Sequence, residues 1–179
     1  MPSIISHPAV AVGLLPVLQR FGVPRWMFWI GTICTIVPDF DVIGFAFGVS
    51  YGDVFGHRGF THSLLFAAIL SVILVYVFAQ QREEVSKSAC LIFLFLCTAS
   101  HGVFDALTNG GLGVAFFAPF DNTRYFLPWR PIQVSPIGIS RFFSRWGALV
   151  LLTEIFWMWI PALLLAIGAS VINRFSARR

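Results

Sequence analysis

The chain has 179 residues, of which 58% are hydrophobic and only 11% charged, with 20 Phe and 6 Trp. Its mean hydropathy of +0.83 excludes an ordinary soluble domain and points to a lipid environment. The formal net charge is +4, but scattered arginines between apolar runs suit anchoring at a membrane surface, so no nucleic-acid partner is expected.

The first apolar segment runs from Ile4 to Leu18 and carries Pro8 and Pro16, so a short, tilted or kinked helix is expected. Arg20 and Arg25 flank a turn, and Trp26 to Val37 forms a second short segment that should stop at Pro38, which cannot continue a helix comfortably. The Gly- and Phe-rich stretch from Asp39 to Gly59 reads as partly helical or re-entrant, an arrangement tolerated at membrane depth only when buried in protein or lining a wet cavity. His62 to Ala79 is a clean span with Thr61 and Ser63 as candidate caps. The hydrophilic run Gln80–Ser88 is a surface loop, and Ala89 to Leu107 is a fourth span closed by Asn109-Gly110-Gly111.

From Leu112 to Arg145 prolines and arginines, Arg124, Arg130, Arg141 and Arg145, alternate with aromatic residues, as expected of an interfacial segment at headgroup level. Gly147 to Ile172 is the last span, and Arg174, Arg178 and Arg179 make a basic tail. The expected fold is therefore an all-α integral membrane protein, a bundle of about four to five short transmembrane helices with a re-entrant or interfacial segment. One transmembrane domain is expected over residues 1–179, with a core over about 1–140, a C-terminal span over about 147–172 and a tail over 173–179. No signal peptide or lipidation motif is evident, so insertion should rely on the helices themselves. Cys34, Cys90 and Cys97 lie in apolar runs without a CxxC pair, so neither a disulfide framework nor a Cys-ligated zinc is expected.

Against this background the polar islands stand out. They are Ser6-His7, Pro38-Asp39-Phe40-Asp41, His57 to Ser63, and His101 to Asp105, and they hold every histidine of the chain. Ionisable groups at membrane depth are costly and are functional candidates by default. In an up-and-down bundle the islands fall at the start of the first helix, the end of the second, the start of the third and the end of the fourth, which all lie on one face. The spacing of His101 and Asp105 puts both on one side of a helix, suited to two ligands of one cation or to a buried His–Asp hydrogen bond. Asp39 and Asp41, two apart in an extended segment, should point to opposite sides. His57 and His62 do not share a helical face, so one is expected in the loop and the other on the first turn, with Gly59 allowing a sharp turn. Arg58 is a planar cation suited to a phosphate or carboxylate, or to anchoring at the interface.

Histidines with hard carboxylates suit Zn first, with Mn or Fe as alternatives, in one ion or two. The expected ligands are His7, Asp39, His57, His62, His101 and Asp105, and the expected catalytic groups are Asp39, Asp41 and Arg58. Gln133, Ser135 and Tyr125 are further candidates for hydrogen bonds to substrate. The balance of Lys and Arg puts the islands weakly on the outward, periplasmic face.

The early His, Pro-Asp-x-Asp, His-Arg-Gly-x-Thr-His-Ser and His-x-x-x-Asp motifs resemble the YdjM-like family. These are small bacterial inner-membrane proteins described as predicted metal-dependent hydrolases, some carrying a LexA-linked label. The resemblance covers about residues 1–140 and implies a multi-pass inner-membrane hydrolase with ligands at His7, Asp39, His57 or His62, His101 and Asp105. The function expected is hydrolysis of an ester or phosphoester of a lipid-type substrate at the bilayer surface by metal-activated water, with membrane lipids as partners. The alternatives are a metal-ion or proton transporter and a non-catalytic membrane protein with a structural metal.

Overall fold

The computed structural model describes residues 1–136 and 142–176. Arg141 of the expected interfacial stretch and Arg178 and Arg179 of the expected tail lie outside the described residues. Helices dominate because a chain in lipid must satisfy its backbone groups internally. α1 is Ala9–Gln19, with Pro8 as its N-cap and Pro16 inside it. α2 is Met27–Cys34, followed by a 3-10 helix, Val37–Phe47, that Gly48 ends at φ 80°. After a loop and a 3-10 turn, Phe60–His62, come α3, Leu64–Ala79, and α4, Lys87–Ala106. α5, Arg145–Glu154, runs through a π-helical turn, Ile155–Trp159, into α6, Ile160–Ser176. Among the described residues there is no sheet, only the isolated bridges Thr108 to Ile132 and Val114 to Tyr125.

Three stretches are long and apolar enough to cross a membrane, Met27–Phe47, Lys87–Ala106 and Arg145–Ser176, while α1 and α3 are shorter apolar helices. Pro38 does not stop the second segment as expected. It sits in the first turn of the 3-10 helix, where a missing N–H costs nothing, so the chain carries Asp39 and Asp41 onward as helical turns and not as an extended segment. Of the two candidate caps, Ser63 caps α3 by accepting from Phe66 N at 3.1 Å. The last helix continues through 173–176, where a tail was expected.

α1 packs against α6, and α4 packs against α2 and α3. The core shared by α1 to α4 is apolar, with Met27, Cys34, Val75, Cys90, Phe93, Leu94 and Cys97 among its residues. At the end away from the islands, Asn173 Nδ2 donates to Pro16 O at 2.8 Å, Ser86 N donates to Gly22 O at 3.3 Å and Arg82 lies over the Trp26 ring. Large apolar side chains of α3 and α6, among them Val72, Ile73, Leu164 and Ile167, face outward, as lipid-facing residues do. The stretch after α4 is not wholly superficial. Ile132 is fully buried beside Ala9 and Met158, and Val114 and Tyr125 exchange two backbone hydrogen bonds at 2.9 Å, folding this segment over the island-bearing end.

α2 approaches α4 closely at Gly31, where a Cβ would lie 2.5 Å from the buried Phe93 ring. Gly31→Val is expected to lower stability by about 1–3 kcal/mol, with Phe93→Leu recovering part of the loss. Unfolding in detergent checks this, and identical curves for wild type and Gly31→Val would contradict the packing.

Candidate metal centre

The four islands meet at one end of the bundle. α1 begins there just after His7, the 3-10 helix after α2 brings Asp39 and Asp41, the turn before α3 brings His62, and the last turns of α4 bring His101 and Asp105. His7, Asp39, His57, Arg58, His62, His101 and Asp105 are all buried. The His7 and His101 rings stack with centroids 3.9 Å apart. Three groups of side chains there could hold a metal ion: His7, His101 and Asp105; Asp39, His62 and His101; and Asp41, His57 and His62.

Hydrogen bonds sort these groups. His101 Nδ1 donates to the Thr35 carbonyl at 2.8 Å, so in a neutral ring Nε2 presents its lone pair. That lone pair faces Asp39 Oδ1 at 3.2 Å, acceptor against acceptor. His62 is placed in a similar way. Its Nδ1 lies 3.2 Å from Asp41 Oδ2, and its Nε2 faces Asp105 Oδ2 at 3.4 Å and Asp39 Oδ1 at 3.8 Å. Both ring nitrogens of His7, both carboxylate oxygens of Asp39 and of Asp105, and Nε2 of His62 and His101 have no hydrogen-bond partner among the described residues. Buried groups are normally satisfied. Two ligands on one tetrahedral zinc lie roughly 3.3 Å apart at zinc–ligand bonds of about 2.0–2.1 Å, and these separations fit a shared cation.

Asp41 differs. Its Oδ1 accepts from His57 Nδ1 at 2.7 Å, and its Oδ2 accepts from Thr61 Oγ1 at 2.8 Å and from Arg58 N at 3.2 Å. Asp41 thus joins His57 to His62 while Asp39 alone of the pair turns towards His101. His57 sits in the loop and His62 on the turn. Thr61 serves Asp41 instead of capping α3.

Arg58 is fully buried. Its Nε lies 2.9 Å from Asp105 Oδ2, Nη1 donates to Gly110 O at 2.8 Å and Nη2 to Thr108 Oγ1 at 3.1 Å. The Met1 amine is 3.7 Å from Asp105 Oδ1. The left-handed residue of this turn is Arg58, at φ 65°, whereas Gly59 keeps a negative φ and is needed because a Cβ there would meet Val54 O at 2.2 Å. A non-glycine residue held left-handed costs about 1–3 kcal/mol, offset here by Arg58 N on Asp41 and by Ala115 N donating to Arg58 O at 3.0 Å.

His7 and His62 precede α1 and α3. Burial, then the neighbouring His101, lowers His7 to about 3, which keeps its ring neutral. Burial works against the imidazolium of His62 too, but the facing carboxylates of Asp105 and Asp41 outweigh it and raise the group to about 9, so a cation bound at Nε2 would take the place of a proton there. Both shifts describe a pocket rich in negative charge and poor in water.

Two residues here escape a reading of the sequence. Arg124 donates to the carbonyls of His57 and Tyr51 at 2.9 Å, clamping the loop that carries His57. Buried Glu154 accepts from Ser3 and Ser6 beside His7. Neither belongs to a motif. Of the other candidates, Gln133 accepts from Asn109 Nδ2 at 2.6 Å, Tyr125 is exposed and Ser135 Oγ bonds the Pro136 carbonyl at 3.4 Å. None of these contacts reaches the cluster.

Apolar spans around a buried His/Asp cluster make this a helical integral membrane protein with residues able to hold a metal ion. The model of the YdjM inner membrane protein family matches residues 1–177. The chain is also 38% identical over 165 residues to the inner membrane protein YbcI of Escherichia coli strain K12, covering 92% of this chain and 95% of that one. The chain belongs to the YdjM inner membrane protein family, and the inner membrane is its location. No solved structure matches.

Removing the guanidinium tests the electrostatics. Arg58→Met leaves Asp105 buried without its nearest positive charge and is expected to cost about 3–5 kcal/mol of stability. Unfolding of the purified variant measures it, and a loss below about 1 kcal/mol would mean that the pair contributes no more than a surface contact.

Proposed function

We propose that this protein is a metal-dependent hydrolase whose centre binds one divalent cation through His7, Asp39, His62, His101 and Asp105. The observation that carries the reading is the set of buried nitrogen and carboxylate atoms left without hydrogen-bond partners among the described residues and turned towards one another. One ion is favoured over two because His101 belongs to two of the three groups and has a single free nitrogen. The remaining group, Asp41 with His57 and His62, is already joined by hydrogen bonds. Three imidazoles and two carboxylates suit Zn, Mn or Fe.

A bound cation of this kind supplies Lewis acidity and a nucleophilic water at neutral pH. The chain's own groups do the rest. The Thr35 carbonyl and Asp41 hold the Nδ1 atoms of His101 and His62, aiming both Nε2 atoms inward, as partners of ligating histidines do. Arg58 orients Asp105 and offsets its charge, a supporting role in place of the catalytic one expected of it. Asp39 Oδ1 faces the two imidazoles, which leaves Oδ2 to accept a proton as general base.

An ester or phosphoester of a lipid-type substrate is supported by position. The cluster sits at one end of the bundle, and Phe40, Phe47, Phe55, Phe117, Phe120 and Trp129 are exposed on segments of that end, as in an aromatic belt at headgroup level. Arg20, Arg25 and Arg82 lie in the turns at the other end and Lys87 opens α4 there, which supports an outward, periplasmic site. The apolar core that fills the other half of the bundle favours a site over an ion pathway.

Elemental mass spectrometry of detergent-purified protein should find about one Zn, Mn or Fe per chain, and His101→Ala or Asp39→Ala should lose it while still inserting. An empty wild type after reconstitution with each ion would overturn the centre, and two ions per chain would overturn the mononuclear form. Loaded wild type should cleave lipid esters or phosphoesters in mixed micelles, with Asp39→Ala reduced by about 100-fold or more. Full turnover in Asp39→Ala would remove it from the chemistry.

A further inference from the structure

Glu154 ends α5 and is fully buried, although the α5–α6 stretch is otherwise largely turned to lipid. Among the described residues no Arg, Lys or His pairs with it. Its carboxylate is satisfied by one short segment. Ser3 N donates to Oε1, Ser3 Oγ to Oε2 at 2.6 Å and Ser6 Oγ to Oε2 at 2.6 Å. Ser6 Oγ in turn accepts from Trp159 Nε1, in the π-helical turn, at 3.1 Å. Every donor to the carboxylate thus comes from the run that leads directly into His7.

His7 needs such an anchor. Neither of its ring nitrogens has a hydrogen-bond partner among the described residues, so no polar contact aims the ring as Thr35 aims His101. What sets its place is the stack on His101 and the path of the backbone through Ser6. A carboxylate in lipid surroundings is costly, and mere packing would be served better by an apolar side chain. Three charge-assisted hydrogen bonds in a low dielectric are strong and directional.

We propose that Glu154 is a positioning residue of the metal centre: it clamps Ser3 and Ser6 to the last helical arm and so holds His7 among the other donors. The inference rests on the cation site proposed above. The test uses Co(II) as the probe in full-length, detergent-purified protein, reading affinity and the visible ligand-field spectrum alongside helicity and melting. Glu154→Gln, and separately Ser3→Ala with Ser6→Ala, should weaken Co(II) binding on the order of tenfold or more and shift the spectrum towards that of His7→Ala. In a His7→Ala background, Glu154→Gln should weaken binding no further.

A variant that melts earlier but keeps the wild-type spectrum and affinity would make Glu154 a structural residue only and overturn the proposal. Equal losses with and without His7 would overturn it as well. Failure of wild type to bind Co(II) at all would instead sink the cation site itself. The serine variant attacks the clamp from its other side, so a misfolded Glu154 variant does not protect the idea.

Discussion

Facing acceptors inside a greasy bundle are the constraint on which this structure turns. The Nε2 atoms of His62 and His101 look at the carboxylates of Asp39 and Asp105 across 3.2–3.8 Å, in a buried place where each unbalanced charge is expensive. Much of the surrounding architecture answers that demand. Arg58 accepts a left-handed backbone to bring a guanidinium against Asp105, and Asp41 spends its oxygens on the groups that frame the centre.

The bundle divides its labour by height. The half towards Arg20 and Arg82 is sealed with Met, Cys, Phe and Leu, while the other half collects polar groups and is roofed by the folded stretch after α4. Arg124 and the backbone pairing of Val114 with Tyr125 give that roof a fixed shape. This combination, a cap folded over a buried charged floor, is the arrangement that the proposed hydrolase would need to confine its chemistry to one surface of the membrane.

Much of this was legible from the chain alone, for a physical reason. In so apolar a sequence every imidazole and carboxylate is conspicuous, and alternating spans bring island residues to one end by parity. The separate fates of Asp39 and Asp41 were not legible, because Pro38 starts a 3-10 helix where a break was expected, and the direction of each carboxylate depends on that turn. Which of His57 and His62 lies nearer the other donors also needed coordinates, since it depends on the strained backbone at Arg58. Glu154 gave no signal at all. A single acid in a long apolar helix has no motif, and its partners are two serines about 150 positions earlier.

That separation along the chain has a consequence for how the protein is made. His7 lies in one of the earliest segments to leave the ribosome, yet the carboxylate that pins its neighbourhood belongs to one of the last. α1 likewise finds its main partner in α6. During synthesis, which delivers helices in order, the first helix must wait in the membrane incompletely docked while four others assemble beside it. Docking of the N-terminal segment therefore cannot be completed before the last two helices are made, and a chain truncated before residue 154 lacks the carboxylate that holds Ser3 and Ser6.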